Sequence, residues 1–240
     1  MRDKILIYIL KFILISQIFS IGYLSVYFYS NDRVENYSEI IISGNILLDE
    51  DYYRNILDYS HFGNSISLNS IKTELEKHPY IAFANVKLNS QNKLIVYIQE
   101  KKINSIIVKN SLHHFITNNF EIISIENNTN IPHLPLIIYD DDISNNQPKN
   151  QNTIIAFKII DLLNQINSEL NKALSVINLS NENKLILTIR GILAPIIMTK
   201  TNLVEELLKL NEILQLENSI YSNQNIRYID LRFNQQVIIG

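Results

Sequence analysis

The chain has 240 residues, a formal net charge of −3 and no cysteine. This length leaves room for one large or two small domains, and we expect two. The small negative charge, with no polybasic patch after the first dozen residues, argues against nucleic-acid binding. The absence of cysteine excludes disulfides, thiolate metal sites and a cysteine nucleophile.

The first hydrophobic stretch, residues 12–29, predicts a transmembrane helix. About 18 helical residues extend roughly 27 Å, and the apolar residues 5–10 before them can complete a bilayer core of about 30 Å. Arg2, Lys4 and Lys11 precede the stretch. This positive charge predicts a cytoplasmic segment 1–11 and places the remaining chain outside, as a single-pass protein of the cell inner membrane.

A cleaved signal peptide is the alternative interpretation of this stretch. Lys4 and Lys11 would form its charged region, with Ser20 and Gly22 near the cleavage site. The apolar run continues past Gly22 to Phe28, which favours a retained anchor. Both interpretations predict that the rest of the chain is exported.

Residues 38–102 predict a compact domain with the order strand, helix, helix, strand, strand. Alternating or helical spacing of apolar residues predicts the elements, and Gly, Pro and Asn clusters predict the turns. We expect a strand at 39–43, a turn at Gly44-Asn45, a helix from Asp49 or Glu50 to the turn at 62–64, a helix capped by Asn69 or Ser70 and ended by Pro79, and a hairpin of strands 81–88 and 93–100.

Residues 103–240 predict a mixed β-sheet domain with two amphipathic helices. The expected strands are 105–108, 113–117, 121–125, 131–138, 174–179, 184–189, 192–198, 226–233 and 235–239. The expected helices are 153–170 and a helix capped by Thr201 that ends near residue 216. In strand 226–233, Ile229, Leu231 and Phe233 share one face, and Asp230 and Arg232 share the other.

Candidate sites for chemistry are few. Asp140, Asp141 and Asp142 lack the ordered spacing of a calcium loop, so they predict a solvated acidic loop. His113 and His114 point to opposite faces of a strand, so at most one of them can approach His133. We find no nucleophile elbow, phosphate loop or paired metal-ligand motif, and we therefore predict no catalytic residue, no metal and no cofactor.

Two sets of residues resemble one family. In the first half these are Ile42-Ser43-Gly44-Asn45, Gly63-Asn64-Ser65-Ile66, Pro79-Tyr80-Ile81 and Leu94-Ile95-Val96-Tyr97-Ile98. Their order and spacing resemble a POTRA domain. In the second half, Leu134-Pro135-Leu136-Ile137, Leu185-Ile186-Leu187-Thr188 and Ile229-Asp230-Leu231-Arg232-Phe233 are similar to the FtsQ/DivIB cell-division proteins. Two departures are Asn181-Glu182-Asn183, where a more basic and aromatic stretch is typical, and the absence of tryptophan.

The resemblance implies an α+β protein with a transmembrane helix at 12–29, a POTRA-like domain at 38–102 and a C-terminal β domain at 103–240. It also implies a non-enzymatic scaffold of the bacterial divisome at the division septum, with bitopic partners resembling FtsB and FtsL. The alternative function is a POTRA-containing envelope chaperone or translocation component that binds extended polypeptides.

The last strand is the expected partner-binding site. An edge strand offers unpaired N–H and C=O groups to another chain, and the resemblance implies that the family holds a bitopic partner there. The residues carried over are Phe233, Gln235, Gln236, Val237, Ile238, Ile239 and Gly240. Without the resemblance, the same stretch could equally be an interior strand, or an edge that Gln235 and Gln236 blunt.

Overall fold

The computed structural model describes residues 2–31, 33–34, 37–59, 66–109, 112–139, 149–216 and 226–240. The chain divides into two compact units, Met1–Glu100 and Lys101–Gly240. The described residues form six helices and three sheets. The fold class is therefore α+β, with a large mixed sheet, as the sequence predicts.

The first helix, α1, comprises Arg2–Asn31. Its side chains are described for residues 11–25, and large apolar side chains between Phe12 and Leu24 are exposed, with Phe12 at 74% and Phe19 at 75%. No helix in the described part of the chain combines the length and the apolar character that crossing a membrane requires.

Apart from two short strands that the sequence did not predict, the remainder of the first unit has the predicted order of strands and helices. A short strand, β1 (Arg33–Val34), pairs with β3 (Ile66–Ser67). The main sheet contains β2 (Glu39–Ser43), β4 (Ile81–Leu88) and β5 (Lys93–Glu100), in the order β2-β5-β4. The helices α2 (Glu50–Tyr59) and α3 (Leu68–Glu76) lie between β2 and β4 in the chain. The predicted turn at 62–64 lies outside the described residues.

Glycine is required at the turn that follows β2. Gly44 has a φ of +87°, and a Cβ on it would overlap the carbonyl oxygen of Ile98. Only glycine adopts such a backbone without strain and permits so close an approach. The predicted Gly44-Asn45 turn thus has a steric cause in the neighbouring strand β5.

Glu100, the last residue of β5, ties three parts of the first unit together. One of its carboxylate oxygens accepts hydrogen bonds from the amides of Ile46 at 3.0 Å and Leu47 at 2.9 Å. The other accepts one from the buried Tyr53 hydroxyl on α2 at 2.9 Å. The loop after β2 and helix α2 are therefore fixed to the end of the central strand.

The described residues of the second unit form nine strands in one sheet and three helices. The strands are β6 (Ile103–Lys109), β7 (Leu112–Thr117), β8 (Ile122–Ser124), β9 (Leu136–Ile138), β10 (Leu174–Asn178), β11 (Leu185–Ile189), β12 (Ile196–Met198), β13 (Ile229–Asp230) and β14 (Ile238–Ile239). The helices are α4 (Gln151–Ile166), α5 (Ser168–Ala173) and α6 (Leu203–Leu216). The sheet order is β14-β13-β12-β11-β10-β9-β6-β7-β8.

The core of the second unit lies between this sheet and the helices α4 and α6. One row of paired residues crosses the sheet, and each of its members is at most 1% exposed: Ile137, Ile177, Leu187, Ile196 and Ile229. Ile159 and Leu163 of α4 and Leu207 and Leu210 of α6 belong to the same buried cluster. This row fixes the register of the strands that lead to β14.

One predicted helix is two helices in the structure. The predicted helix 153–170 is interrupted at Asn167, which ends α4 and caps α5: its side chain accepts hydrogen bonds from the amides of Glu169 and Leu170. An asparagine side chain competes with helical hydrogen bonds, which explains the break.

The two predicted caps are also shifted. Ser67 caps α3 by accepting from the Ser70 amide, so the prediction of Asn69 or Ser70 is wrong. Helix α6 begins at Leu203 rather than next to Thr201, and the Asn202 amide donates to the Thr199 hydroxyl.

Several strands are shorter than predicted. The strands predicted at 131–138 and 192–198 are confined to β9 and β12, because Pro132, Pro135 and Pro195 lack the amide hydrogen of a strand ladder. Those predicted at 226–233 and 235–239 are confined to β13 and β14. There the chain turns at Gln235, whose φ of 53° is incompatible with a strand.

Candidate partner-binding edge

The terminal strand β14 lies at one edge of the nine-stranded sheet. It pairs with β13 in antiparallel register, with Ile239 opposite Ile229 and Ile238 opposite Asp230. In the described part of the chain, no strand pairs with the other side of β14. Among the described strands, β14 is therefore an edge strand rather than an interior one.

The hydrogen bonds of Gly240 define which backbone groups of β14 face outward. The Gly240 amide donates to the Tyr228 carbonyl, and the Gly240 carbonyl accepts from the Tyr228 amide, both at 3.2 Å. Because hydrogen-bonded and non-hydrogen-bonded pairs alternate in an antiparallel ladder, Ile238 also faces β13. The N–H and C=O groups of Val237 and Ile239 consequently point away from β13, toward the open edge.

The side chains of β14 are apolar and accessible. Ile238 and Ile239 are each 38% exposed, and Val237 is half-buried against the core. Gly240 leaves no room for a Cβ, which would overlap the Tyr228 ring. The strand therefore offers backbone hydrogen bonds together with isoleucine side chains on both of its faces.

The other predicted site residues lie in the turn before β14. Phe233 is 45% exposed, although the predicted strand would have placed it on the buried face with Ile229 and Leu231. Gln235 and Gln236 are exposed, and the Gln236 amide donates to the Phe233 carbonyl at 3.4 Å. The structure thus separates the seven predicted residues into a turn (Phe233, Gln235, Gln236) and a strand region (Val237, Ile238, Ile239, Gly240).

An ion pair holds the chain between β13 and this turn. Asp230 is 5% exposed, and the Arg232 side chain donates to both of its carboxylate oxygens, with Nε–Oδ1 at 2.9 Å and Nη2–Oδ2 at 2.7 Å. These hydrogen bonds lower the pKa of Asp230 and raise that of Arg232. The predicted pair of polar residues on one face is therefore an ion pair within the chain.

Lys209 on α6 is a further positioning residue, which the sequence analysis did not identify. Its ammonium donates to the carbonyls of Leu231 and Phe233, each at 2.9 Å, and lies 3.5 Å from Glu205. Its side chain is only 15% exposed. In the sequence, only the position of this lysine beside the buried stripe of α6 hints at a structural role. Nothing in the sequence indicates that it binds carbonyls 22 and 24 residues later.

Glu206 secures the beginning of the same helix. It is 2% exposed, and its carboxylate accepts hydrogen bonds from the amide and the hydroxyl of Thr199, each at 2.7 Å. Burial raises the pKa of Glu206 despite these hydrogen bonds. Glu206 is therefore a buried charged residue of α6, bound to Thr199 directly after β12.

The described residues contain no cluster of side chains that could hold a metal ion. His113 is exposed on β7 next to the half-buried His114, whose ring nitrogen lies 3.1 Å from the Leu112 carbonyl. Asp140, Asp141 and Asp142 lie outside the described residues.

Comparison with known proteins identifies the second unit. Residues 106–232 match the family model described as the C-terminal region of the cell division protein FtsQ/DivIB. The matched segment begins in β6 and ends at Arg232, so it includes the Asp230–Arg232 pair but stops before the predicted partner-binding residues. A search of curated proteins found no match. Because the family match covers more than half of the chain, the chain belongs to the FtsQ/DivIB family of cell-division proteins.

Proposed function

We propose that this chain is a non-enzymatic, bitopic membrane scaffold of the bacterial divisome, and that it recruits partner division proteins by strand addition at β14. The observation that carries the proposal is the position of β14 at the sheet edge, with the backbone of Ile239 directed outward. Main-chain hydrogen bonds to such an edge provide affinity, and the alternating side chains provide specificity.

The isoleucine pair indicates the kind of strand that would bind. Ile238 and Ile239 are adjacent, so they lie on opposite faces of the sheet. A strand added beside β14 would place alternate side chains next to each of them, and apolar side chains at both positions would bury the exposed isoleucine surface. Bitopic division proteins resembling FtsB and FtsL are the proposed partners.

The amino-terminal half would tether and orient this edge. We assign residues 12–29 to a membrane span with a cytoplasmic segment 1–11 before it, and residues 38–102 to a POTRA-like domain outside the inner membrane. The predominantly apolar sequence of residues 12–29 supports the span. The strand-helix-helix-strand-strand order of the first unit supports the POTRA-like assignment.

Proline substitution at the edge tests the mechanism. Ile239→Pro removes an outward amide, and Ile239→Thr keeps that amide and a β-branched side chain. We expect Ile239→Pro to reduce co-purification of co-expressed FtsB- and FtsL-like proteins at least tenfold, and Ile239→Thr to reduce it far less. Val237→Pro should behave as Ile239→Pro. Equal capture by a folded Ile239→Pro variant and the unmodified chain would refute strand addition at β14.

The cellular position of a fluorescent fusion separates the proposed function from its alternative. A ring at midcell, together with resistance of the fusion to carbonate extraction, supports a membrane-anchored division scaffold at the septum. Uniform envelope fluorescence, together with capture of many unrelated extended polypeptides, supports an envelope chaperone or translocation component.

A further inference from the structure

A histidine in the first unit joins helix α2 to the beginning of β4. His78 lies between α3 and β4 in the chain and is half-buried. Its Nδ1 atom accepts a hydrogen bond from the Tyr80 amide at 3.2 Å, and its Nε2 atom lies 3.4 Å from the Tyr52 hydroxyl on α2. Its carbonyl also accepts from the amide of Ile81, the first residue of β4, at 3.0 Å. His78 therefore fixes the entry of the chain into β4 against α2.

The hydrogen bond from Tyr80 determines which nitrogen of His78 carries the proton. A backbone N–H group can only donate, so Nδ1 must offer a free lone pair. The imidazole is therefore neutral, with its proton on Nε2, which donates to the Tyr52 hydroxyl. Imidazolium carries a proton on both nitrogens. The cation cannot accept a hydrogen bond from Tyr80, whichever way the ring is turned.

Three tyrosine rings surround this imidazole. The ring centres of Tyr52, Tyr53 and Tyr80 lie 5.6, 5.6 and 5.2 Å from that of His78, each in an edge-to-face arrangement. Tyr53 and Tyr80 are fully buried. Burial and the hydrogen bond to Glu100 raise the pKa of Tyr53 above its usual value, so its hydroxyl stays uncharged. None of the three rings therefore offers an imidazolium cation a negative charge.

The charges on the neighbouring elements have other partners or face solvent. Arg54 binds Glu50, Lys72 lies near Glu76, and Lys77 binds Glu74. Glu100 accepts three hydrogen bonds, from two amides and the Tyr53 hydroxyl. Asp49 and Asp51, at the start of α2, are exposed. Charges in solvent are screened over about 8 Å, whereas two donors would meet at Nδ1 within 3.2 Å, so the contact at Nδ1 decides which form the fold favours.

We propose that the contact of His78 with Tyr52 and Tyr80 is a pH-sensitive switch, which holds α2 against the start of β4 when the imidazole is neutral and releases it when the imidazole is protonated. Protonation makes Nδ1 a donor, so the Tyr80 amide loses its acceptor and faces a second N–H group. Histidine is the side chain that ordinarily titrates between pH 5 and 8. This switch is separate from β14 and does not depend on strand addition there.

The sign of the pH dependence follows from the favoured neutral form. The fold should hold the pKa of His78 below the unfolded value of about 6.5. The folded chain then binds fewer protons than the unfolded chain, so the stabilisation is complete above about pH 6.5 and is lost as pH falls through the folded pKa. The proposed position of the first unit outside the inner membrane would expose the switch to the pH of the envelope, but the switch itself does not rest on that position.

Nuclear magnetic resonance of the full-length protein, labelled with ¹⁵N in histidine, tests the protonation state. We expect His78 to carry its proton on Nε2 at pH 7.5 and to titrate below the unfolded value of about 6.5. His78→Asn assigns the signal by its loss. A proton on Nδ1 at pH 7.5, or a pKa at or above the unfolded value, would overturn the proposal in the unmodified chain, without any variant.

Hydrogen exchange at the Tyr80 amide tests the release. His78→Asn is the matched variant, because an asparagine side-chain oxygen can accept from the amide two residues later but does not titrate. After correction for the intrinsic pH dependence of exchange, protection of this amide should fall about tenfold from pH 7.5 to pH 5.5 in the unmodified chain. It should stay constant in His78→Asn. Constant protection in the unmodified chain, or an equal fall in both, would overturn the proposal.

Two further measurements assign the response to this histidine. His113→Asn, at an exposed histidine of β7, should leave the response of the Tyr80 amide unchanged, and a response that disappears in this variant would contradict the proposal. Exchange in β5 reports folding of each variant, because Val96 and Ile98 are fully buried there. Equal loss of protection in β5 and at Tyr80 on acidification would indicate unfolding of the whole unit and would overturn a local switch.

Discussion

The edge strands β4 and β14 differ in length and in the side chains that lie beside their exposed backbone groups. Both expose backbone groups to other chains. Strand β4 is eight residues long, and the amide of its residue Ala84 donates a hydrogen bond to the Glu76 carboxylate. Strand β14 has two residues, both of them exposed isoleucines. A long edge strand offers many backbone groups to any added chain, whatever its sequence. A charged side chain that binds one of these groups, as Glu76 does here, limits unwanted pairing. A two-residue strand offers few, so its selectivity depends on side chains and on accurate placement.

The largest effect we expect concerns the placement of β14. Leu231 is fully buried, and its amide donates to the Ile197 carbonyl at 3.0 Å, which seats the end of β13. Leu231→Ala should lower the free energy of unfolding of the second unit by about 2–5 kcal/mol, as measured by urea denaturation. Leu216→Ala, at a side chain 83% exposed, should change it by less than about 0.5 kcal/mol. Equal losses of stability in the Leu231→Ala and Leu216→Ala variants would mean that core packing does not hold β13 in place.

A smaller effect is expected from Lys209, which binds the chain on the way to β14. Lys209→Met should cost about 1–2 kcal/mol of stability, because two carbonyls lose a charged donor, and should weaken partner binding. Lys209→Arg keeps a donor and should restore most of the binding. Lys158→Met, at an exposed lysine of α4, serves as the control. Full partner affinity in a folded Lys209→Met chain would show that the turn is positioned without it.

The Asp230–Arg232 pair should give a pH-dependent effect of about 1 kcal/mol. Because the folded state lowers the pKa of Asp230, the pair stabilises the fold above the unfolded value of about 3.9, and this contribution is lost as pH falls through the folded pKa. Arg232→Gln should therefore be less stable than the unmodified chain at pH 7, and the two unfolding curves should converge below about pH 4. A difference that persists undiminished in acid would exclude the ion pair as its cause.

The smallest effect we expect is at the N-terminal cap of α3, the helix that carries Glu76. Ser67→Ala removes the acceptor of the Ser70 amide and should cost about 0.5–1 kcal/mol in the first unit. Ser70→Ala, which leaves that acceptor in place, is the control. Thermal unfolding followed by circular dichroism measures both, and a larger loss for Ser70→Ala would contradict the assigned cap.

Sequence patterns predicted the fold where periodicity alone decides the structure. The strands 39–43, 81–88 and 93–100 have the predicted bounds, because apolar alternation and turn residues are local signals. Prediction failed where a side chain has a specific partner. The break at Asn167 and the Ser67 cap both depend on hydrogen bonds that compete with helix formation.

For the candidate site, the sequence predicted the region but not its geometry. The chain turns at Gln235, so the predicted terminal strand is reduced to Ile238–Ile239. Lys209 reaches its carbonyl partners only after α6 has packed on the sheet, and no spacing along the chain encodes that contact. The direction of the Ile239 amide likewise follows from the register with β13, which sequence alone does not give.

Glu100 has a mechanical consequence for a protein whose two units are joined directly after it. Its carboxylate is bound to the amides of Ile46 and Leu47 and to the Tyr53 hydroxyl. Tension applied to the chain at Lys101 should therefore meet these three hydrogen bonds before the end of β5 can separate from the rest of the first unit. A carboxylate with three donors at the last residue of β5 thus protects the first unit against unravelling from the end that is joined to the second.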